Sequence, residues 1–276
     1  MSRTKRIIFN KEDAMTLAKI VLLVLLGLCS GGMTSLIGAS GVMIVIPALS
    51  LGLHFTIQEA IGTSLMVDVI GSVAVSYTYF KNENIDLKRG IWIALGSVTG
   101  AQLGAKFADL IPNTGLSGGF GIFLAAFGIV MLVRGVNKNF VTQKVSEPLK
   151  IIRGWERNLV SVLIGFVLGI ISGLMGAGGG INFLLVLLFV LRLPLHKAIG
   201  TSTLIMAITA LSGSIGHALR GNINIPAGLI IGMGTLIGGI LGARYANKVS
   251  EKKLGRVTGM VFITLGVIMT IFTIFK

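Results

Sequence analysis

The sequence predicts an all-α polytopic membrane protein with two homologous repeats, each of four to five transmembrane segments and a broken first helix. Three observations carry this expectation. Of 276 residues, 53% are hydrophobic and only 12% are Asp, Glu, Lys or Arg, about half the charged fraction of a soluble domain. The charges are also segregated: windows 1–19, 81–89, 134–157 and 244–256 hold 26 of the 34, as loops between spans would. Finally, the chain aligns with itself without a gap at a shift of 138 residues, with about 28 of the 105 positions over 27–131 identical, a register that shared apolar composition alone would not keep.

The composition also excludes. A mean hydropathy of +0.90 rules out a disordered chain, which lacks apolar residues to bury. It also argues against a water-soluble enzyme. The single cysteine, Cys29, cannot form an internal disulfide. The net charge of +14 is unaccompanied by any nucleic-acid-binding motif, so the expected partner is the bilayer and not DNA or RNA.

Taken in order, 1–19 is a basic N-terminal segment, 20–133 the first membrane repeat, 134–157 a basic linker and 158–276 the second repeat. The apolar run 20–53 is too long for a signal peptide and is read as a retained membrane segment. Further runs cover 60–80, 90–108, 116–133, 158–191, 198–219, 226–246 and 257–275. Six of these suit a single crossing of about 20 residues. Runs 20–53 and 158–191 have 34 residues each and a glycine cluster near the middle, so each is read as a helix broken there. If each long run crosses once, the halves are parallel; if twice, they are inverted. Both assignments put about twice as many Lys and Arg inside as outside, so the sequence leaves both open.

The breaks are the first functional candidates. They contain Gly38, Ala39, Ser40 and Gly41 in the first repeat, and Gly176, Gly178, Gly179, Gly180 and Asn182 in the second. Glycine lets the backbone leave the helix and lets a ligand approach N–H groups. A half-helix beginning after such a break points free N–H groups and a positive dipole end into the membrane, which suits an anion without any buried lysine. The blander alternative is that these glycines only permit tight packing. An Ala-Ile-Gly-Thr-Ser sequence opens the next span of each half and places Thr63, Ser64, Thr201 and Ser202 as candidate hydroxyl ligands; the alternative is that they cap the helix start.

Asp68 is the one acid deep in an apolar run, and Met206 stands at its place in the second half. An intramembrane carboxylate is a functional hypothesis by default. It could carry a coupling proton, pair with a cation such as Lys106, or bond locally to Ser64 or Ser72. The series Gly96/Gly100/Gly104 and Gly234/Gly238/Gly242 place glycines on one helix face for close helix contact.

Other chemistries fit less well. The glycines at 176–180 lack the strand and βαβ context of a dinucleotide loop. Ser40 with His217 imitates an intramembrane serine protease dyad, but the same loop recurs without serine at Gly178. The three histidines show no metal-ligand spacing. No catalytic residue, metal or cofactor is expected, and the chain is not expected to be an enzyme.

The two glycine breaks, the Ala-x-Gly-Thr-Ser starts, and the loops Asn84-Ile85-Asp86 and Asn222-Ile223-Asn224, each followed by a Gly-x3-Gly-x3-Gly-Ala helix, together resemble the sulfite exporter TauE/SafE family, also called the 4-toluene sulfonate uptake permease family. The resemblance covers about residues 20–275. One departure is Gly38-Ala39-Ser40-Gly41, where the family pattern prefers glycines throughout. The resemblance implies a multi-pass inner-membrane permease for small sulfur-containing anions such as sulfite or organosulfonates, driven by ion gradients. Alternating access between the repeats is the expected mechanism and an anion channel the alternative. A small anionic substrate and the bilayer are the expected partners, and a homodimer is an admissible assembly.

Overall fold

The computed structural model describes residues 11–38, 40–53, 55–112, 155–176, 179–191 and 193–250. Among these residues the chain is all helical. The order is α1 (Lys11–Ile37), α2 (Val42–Pro47) continued by a π-helical turn (Ala48–Gly52), α3 (Ile57–Lys81) and α4 (Leu87–Leu110). Then come α5 (Trp155–Met175), α6 (Gly180–Leu185) with its own π-turn (Val186–Val190), α7 (Leu195–Ala218) and α8 (Ile225–Lys248). Stretches within α1, α3, α5, α7 and α8 are long and apolar enough to cross a membrane. The expected spans 116–133 and 257–275 and nearly all of the linker 134–157 lie outside the described residues, as do Ala39 and Gly178.

Local signals set the helix ends. Thr56 caps α3, its hydroxyl accepting from the Glu59 amide at 3.2 Å, and Asn224 caps α8 by accepting from Ala227 at 3.1 Å. Asp86 does the same for α4, accepting from Arg89 at 3.1 Å. Each cap satisfies one of the orphan donors of a helix start. The Ala-Ile-Gly-Thr-Ser sequences were expected at the span starts. They fall instead inside α3 and α7, because Thr56 and Pro194 already occupy the N-cap positions.

Glycine decides the packing. A Cβ on Gly96, Gly100 or Gly104 of α4 would run into the backbone carbonyls of Val162, Phe166 and Ile170 on α5. One on Gly234 or Gly238 of α8 would meet those of Val24 and Leu28 on α1. Where apolar burial gives little advantage over lipid contact, the van der Waals packing that such backbone approach permits is one source of helix attraction. The packing role expected for these glycines is what they perform, and among the described residues it joins the first helix of each half to the last long helix of the other.

The contacts also fix helix directions. Gly27, Gly31 and Ser35 of α1 meet Ile231, Thr235 and Gly242 of α8 in rising order, so these helices are parallel. Met66, Ile70 and Val75 of α3 meet Gly228, Gly232 and Gly239 in the same sense. Ile93, Ser97 and Ala101 of α4 rise with Gly165, Gly169 and Gly173 of α5. In contrast, α3 and α7 are antiparallel, since Gly62 lies by His217 and Tyr79 by Gly200. Helices α1, α3 and α8 therefore point one way, and α4, α5 and α7 the other.

Candidate functional site

α1 stops at Ile37 because Gly38 adopts φ +67°, a left-handed conformation that Cβ-bearing residues avoid. The Gly38 amide still bonds to Thr34 O at 2.9 Å, closing the last turn. α5 ends in the same way, with Gly176 at φ +66° and Gly179 at φ +71° before α6. Both expected breaks are therefore real backbone breaks.

Each break rests on the opposite half. A Cβ on Gly38 would lie 3.3 Å from Ile199 Cα and 2.7 Å from Ser202 Oγ, on α7. One on Gly176 would lie 3.2 Å from Ile61 Cα, on α3. The Ile of each Ala-Ile-Gly-Thr-Ser sequence is thus the seat of the opposite glycine break. The following Gly and Thr hold the opposite loop. Gly62 faces the Asn222 carbonyl and Gly200 that of Asn84. Thr63 Oγ1 accepts from the Asn224 amide and Thr201 Oγ1 from that of Asp86, both at 2.9 Å. The serines bond within their own helices: Ser64 Oγ donates to Ile61 O at 2.7 Å and Ser202 Oγ to Ile199 O at 3.0 Å. All four hydroxyl residues are fully buried.

The two breaks also meet each other. A Cβ on Gly180, the first residue of α6, would fall against the Gly38 carbonyl and 3.1 Å from the Ser40 amide nitrogen. Beside this point the repeats differ. In the first, Ser40 donates a hydrogen bond to the Asp68 carboxylate. In the second, Met206 stands at the place of Asp68 and its Sδ packs against Gly180. Asp68 and Ser40 are both buried. Of the three sequence readings of Asp68, the structure replaces the carboxylate partners: Ser40 holds it, Ser72 donates instead to the Asp68 main-chain carbonyl, and Lys106 is exposed.

Three contributors were not legible as such in the sequence. Tyr79 Oη donates to Ser35 O at 2.9 Å, in the last turn of α1. At the equivalent place of the second half, His217 Nε2 lies 3.0 Å from Gly173 O; a carbonyl only accepts, so this nitrogen carries the proton. Both side chains satisfy carbonyls that a broken helix leaves orphaned. The third is Ser30 of α1, whose buried hydroxyl lies against Gly41 in the first break. Among the described residues, Ser30 Oγ, Ser172 Oγ and His217 Nδ1 are buried without a hydrogen-bond partner, and Ser172 lies one turn before the second break. Asn182 is half-buried on α6. No group of three or more His, Cys, Asp or Glu able to hold a metal occurs among the described residues.

The chain matches the model of the family described as sulfite exporter TauE/SafE over residues 23–269. It belongs to this family. Among similar proteins, this TauE/SafE-family chain is 29% identical over 264 residues to "Probable membrane transporter protein YunE" of Bacillus subtilis (strain 168), covering 89% of this chain and 95% of the relative. It is 27% identical over 263 residues to "Probable membrane transporter protein MJ0441" of Methanocaldococcus jannaschii, covering 90% and 94%. No solved structure gives a significant match. The TauE/SafE-family chain is accordingly a probable multi-pass membrane transporter and not an enzyme, and the protease reading of Ser40 and His217 is set aside. The geometry agrees: Ser40 is bonded to Asp68, while His217 is bonded to Gly173.

Proposed function

We propose that this chain is a secondary transporter of small sulfur-containing anions, sulfite or organosulfonates, in the inner membrane, working by alternating access between two repeats. The observation that carries the reading is the meeting of the two glycine breaks at Gly38, Ser40 and Gly180. Backbone N–H groups of the segments 38–41 and 176–180, with Asn182, would hold the anion, and Ser40, Thr63, Ser64, Thr201 and Ser202 would shape the site. The unpaired buried hydroxyls of Ser30 and Ser172 support a polar ligand near both breaks. Asp68 is the coupling group, present in the first repeat alone.

In this reading the repeats, 20–133 and 158–276, are inverted. Two facts support inversion. Every described element of the first half has a counterpart 138 residues later, as Val42 and Gly180 at the starts of α2 and α6 illustrate. In addition, α1 runs opposite to α5. Among the described residues Lys81, Lys88, Arg89, Arg157, Lys197, Arg244 and Lys248 lie at the membrane face of loop 82–86, against Lys11, Lys19, Lys106 and Arg220 at the other. The excess makes the 82–86 face cytoplasmic.

The test is uptake by proteoliposomes of sulfite, sulfoacetate, sulfate, phosphate and acetate, with and without a proton gradient. Saturable uptake of a sulfur oxyanion with trans-stimulation supports the reading. Transport of none of the sulfur oxyanions removes the substrate assignment, and fast flux without trans-stimulation makes the protein a channel.

A further inference from the structure

A second feature lies on the outer surface of the bundle, away from the breaks. An open groove of about 450 Å³ runs between α3, the start of α4 and α7. Its walls are Val69, Val73, Tyr77 and Phe80 on one side and Leu204 and Leu211 on the other, with Leu87 at the loop end. Several of these are more than half exposed, Tyr77 at 58% and Phe80 at 56%.

The groove has the length of one acyl chain. From Val69 to Phe80 the helix rises roughly 16 Å at about 1.5 Å per residue, close to half of a hydrocarbon core of about 30 Å. It ends where the charges begin. Lys81 follows Phe80, and its Nζ stands 4.8 Å from the centre of the Tyr77 ring that lines the groove. Lys88 follows Leu87. A chain of apolar atoms in the groove would therefore carry its polar end to two exposed ammonium groups.

The duplication supplies an internal comparison. The positions equivalent to Tyr77, Lys81 and Lys88 in the second half are Ile215, Leu219 and Pro226. At the corresponding end of α7 the cation is Arg220, which bonds to Gly216 O and pairs with Asp109, so the exposed lysine pair belongs to this groove and not to the shared architecture.

We propose that this groove is a binding site for an anionic phospholipid, with an acyl chain against α3 and α7 and the phosphate at Lys81 and Lys88. Basic residues at the membrane surface attract anionic headgroups by about 1 kcal/mol each, and the apolar walls add the tail. The groove is lined by the same two helices that carry Asp68 and Met206.

Native mass spectrometry of the purified full chain, titrated with phosphatidylglycerol or with phosphatidylcholine of the same acyl chains, tests this. Phosphatidylglycerol is expected to be retained at a concentration about thirtyfold lower than phosphatidylcholine, the effect of two surface lysines at about 1 kcal/mol each. Lys81→Glu combined with Lys88→Glu is expected to abolish the preference, and Leu211→Trp to weaken retention of both lipids. Lys106→Glu, at the opposite face, should change nothing. Equal retention of the two lipids, a preference that survives the lysine substitutions, or a lipid-free dimer closed over the groove would each overturn the proposal. Because Lys81, Lys88 and Leu211 are exposed, these variants test binding without repacking the core.

Discussion

The hydroxyl of Ser40, in the break between α1 and α2, donates to the carboxylate of Asp68 in the middle of α3. The bond ties the glycine break to a scaffold helix, in one repeat only. A buried carboxyl held by a single neutral donor is suited to exchanging a proton, because the neutral form needs no counter-ion there. Asp68→Asn keeps the shape and a hydrogen bond to Ser40. It is expected to abolish stimulation by a proton gradient while exchange between two anion-loaded sides continues. Gradient-driven uptake equal to wild type would remove Asp68 from coupling.

The carbonyl caps predict a stability effect. Tyr79→Phe deletes only the hydroxyl that serves Ser35 O and leaves that buried carbonyl short of a donor, at about 1–3 kcal/mol. His217→Phe does the same to Gly173 O. Both variants are expected to lower the thermal unfolding temperature in detergent. His217→Gln, which retains a donor, is expected to recover part of the loss. An unchanged melting temperature for both phenylalanine variants would show that the caps contribute nothing.

The threonine pair predicts a symmetric effect. Thr63→Val and Thr201→Val each remove an acceptor from a loop amide of the other half, at about 1 kcal/mol. The two bonds involve separate loops, so the double variant is expected to show the sum of the singles within about 0.5 kcal/mol. Thermal or denaturant unfolding of the four-member set checks this. A single variant without effect would mean that the inter-half bond is not formed.

Inversion makes a topological prediction. Glu83 follows α3 and Leu219 follows α7, and these helices are antiparallel. With exposed Cys29 replaced by valine, Glu83→Cys and Leu219→Cys are expected to react with a membrane-impermeant maleimide from opposite sides, Leu219→Cys from outside the cell. Labelling from one side would contradict inverted repeats.

Much of this architecture was legible in the residues. The breaks could be read because Gly38 and Gly176 are the residue type that a left-handed helix end requires. The duplicated register placed the same elements in both halves. The four-residue glycine spacing announced close helix contact, but not that α4 would choose α5 and α8 choose α1, since the partner of a smooth face is set by tertiary geometry. The Ala-Ile-Gly-Thr-Ser sequence has the pattern of a helix start, a hydroxyl followed by an apolar run, whereas the cap of α3 is Thr56, about two turns before Thr63. The register aligns Tyr79 with His217, but does not show the carbonyl-capping role that they share. One is a phenol and the other an imidazole, and what they share is a donor at one height on the helix. The pairing of Ser40 with Asp68 was equally hidden, because nothing in a one-dimensional spacing of 28 residues indicates contact.

The central claim is that a sulfur oxyanion binds where the two glycine breaks meet. The most direct test is trans-stimulated counterflow of labelled sulfite in proteoliposomes containing wild type or Gly180→Ala. The added methyl would fall between the Gly38 carbonyl, Met206 Sδ and the Ser40 amide, closing the approach to the backbone without changing any charge. Saturable counterflow is expected in wild type, and its loss in a variant that still folds and inserts. Counterflow in Gly180→Ala with wild-type affinity and rate would place the anion elsewhere and contradict the account.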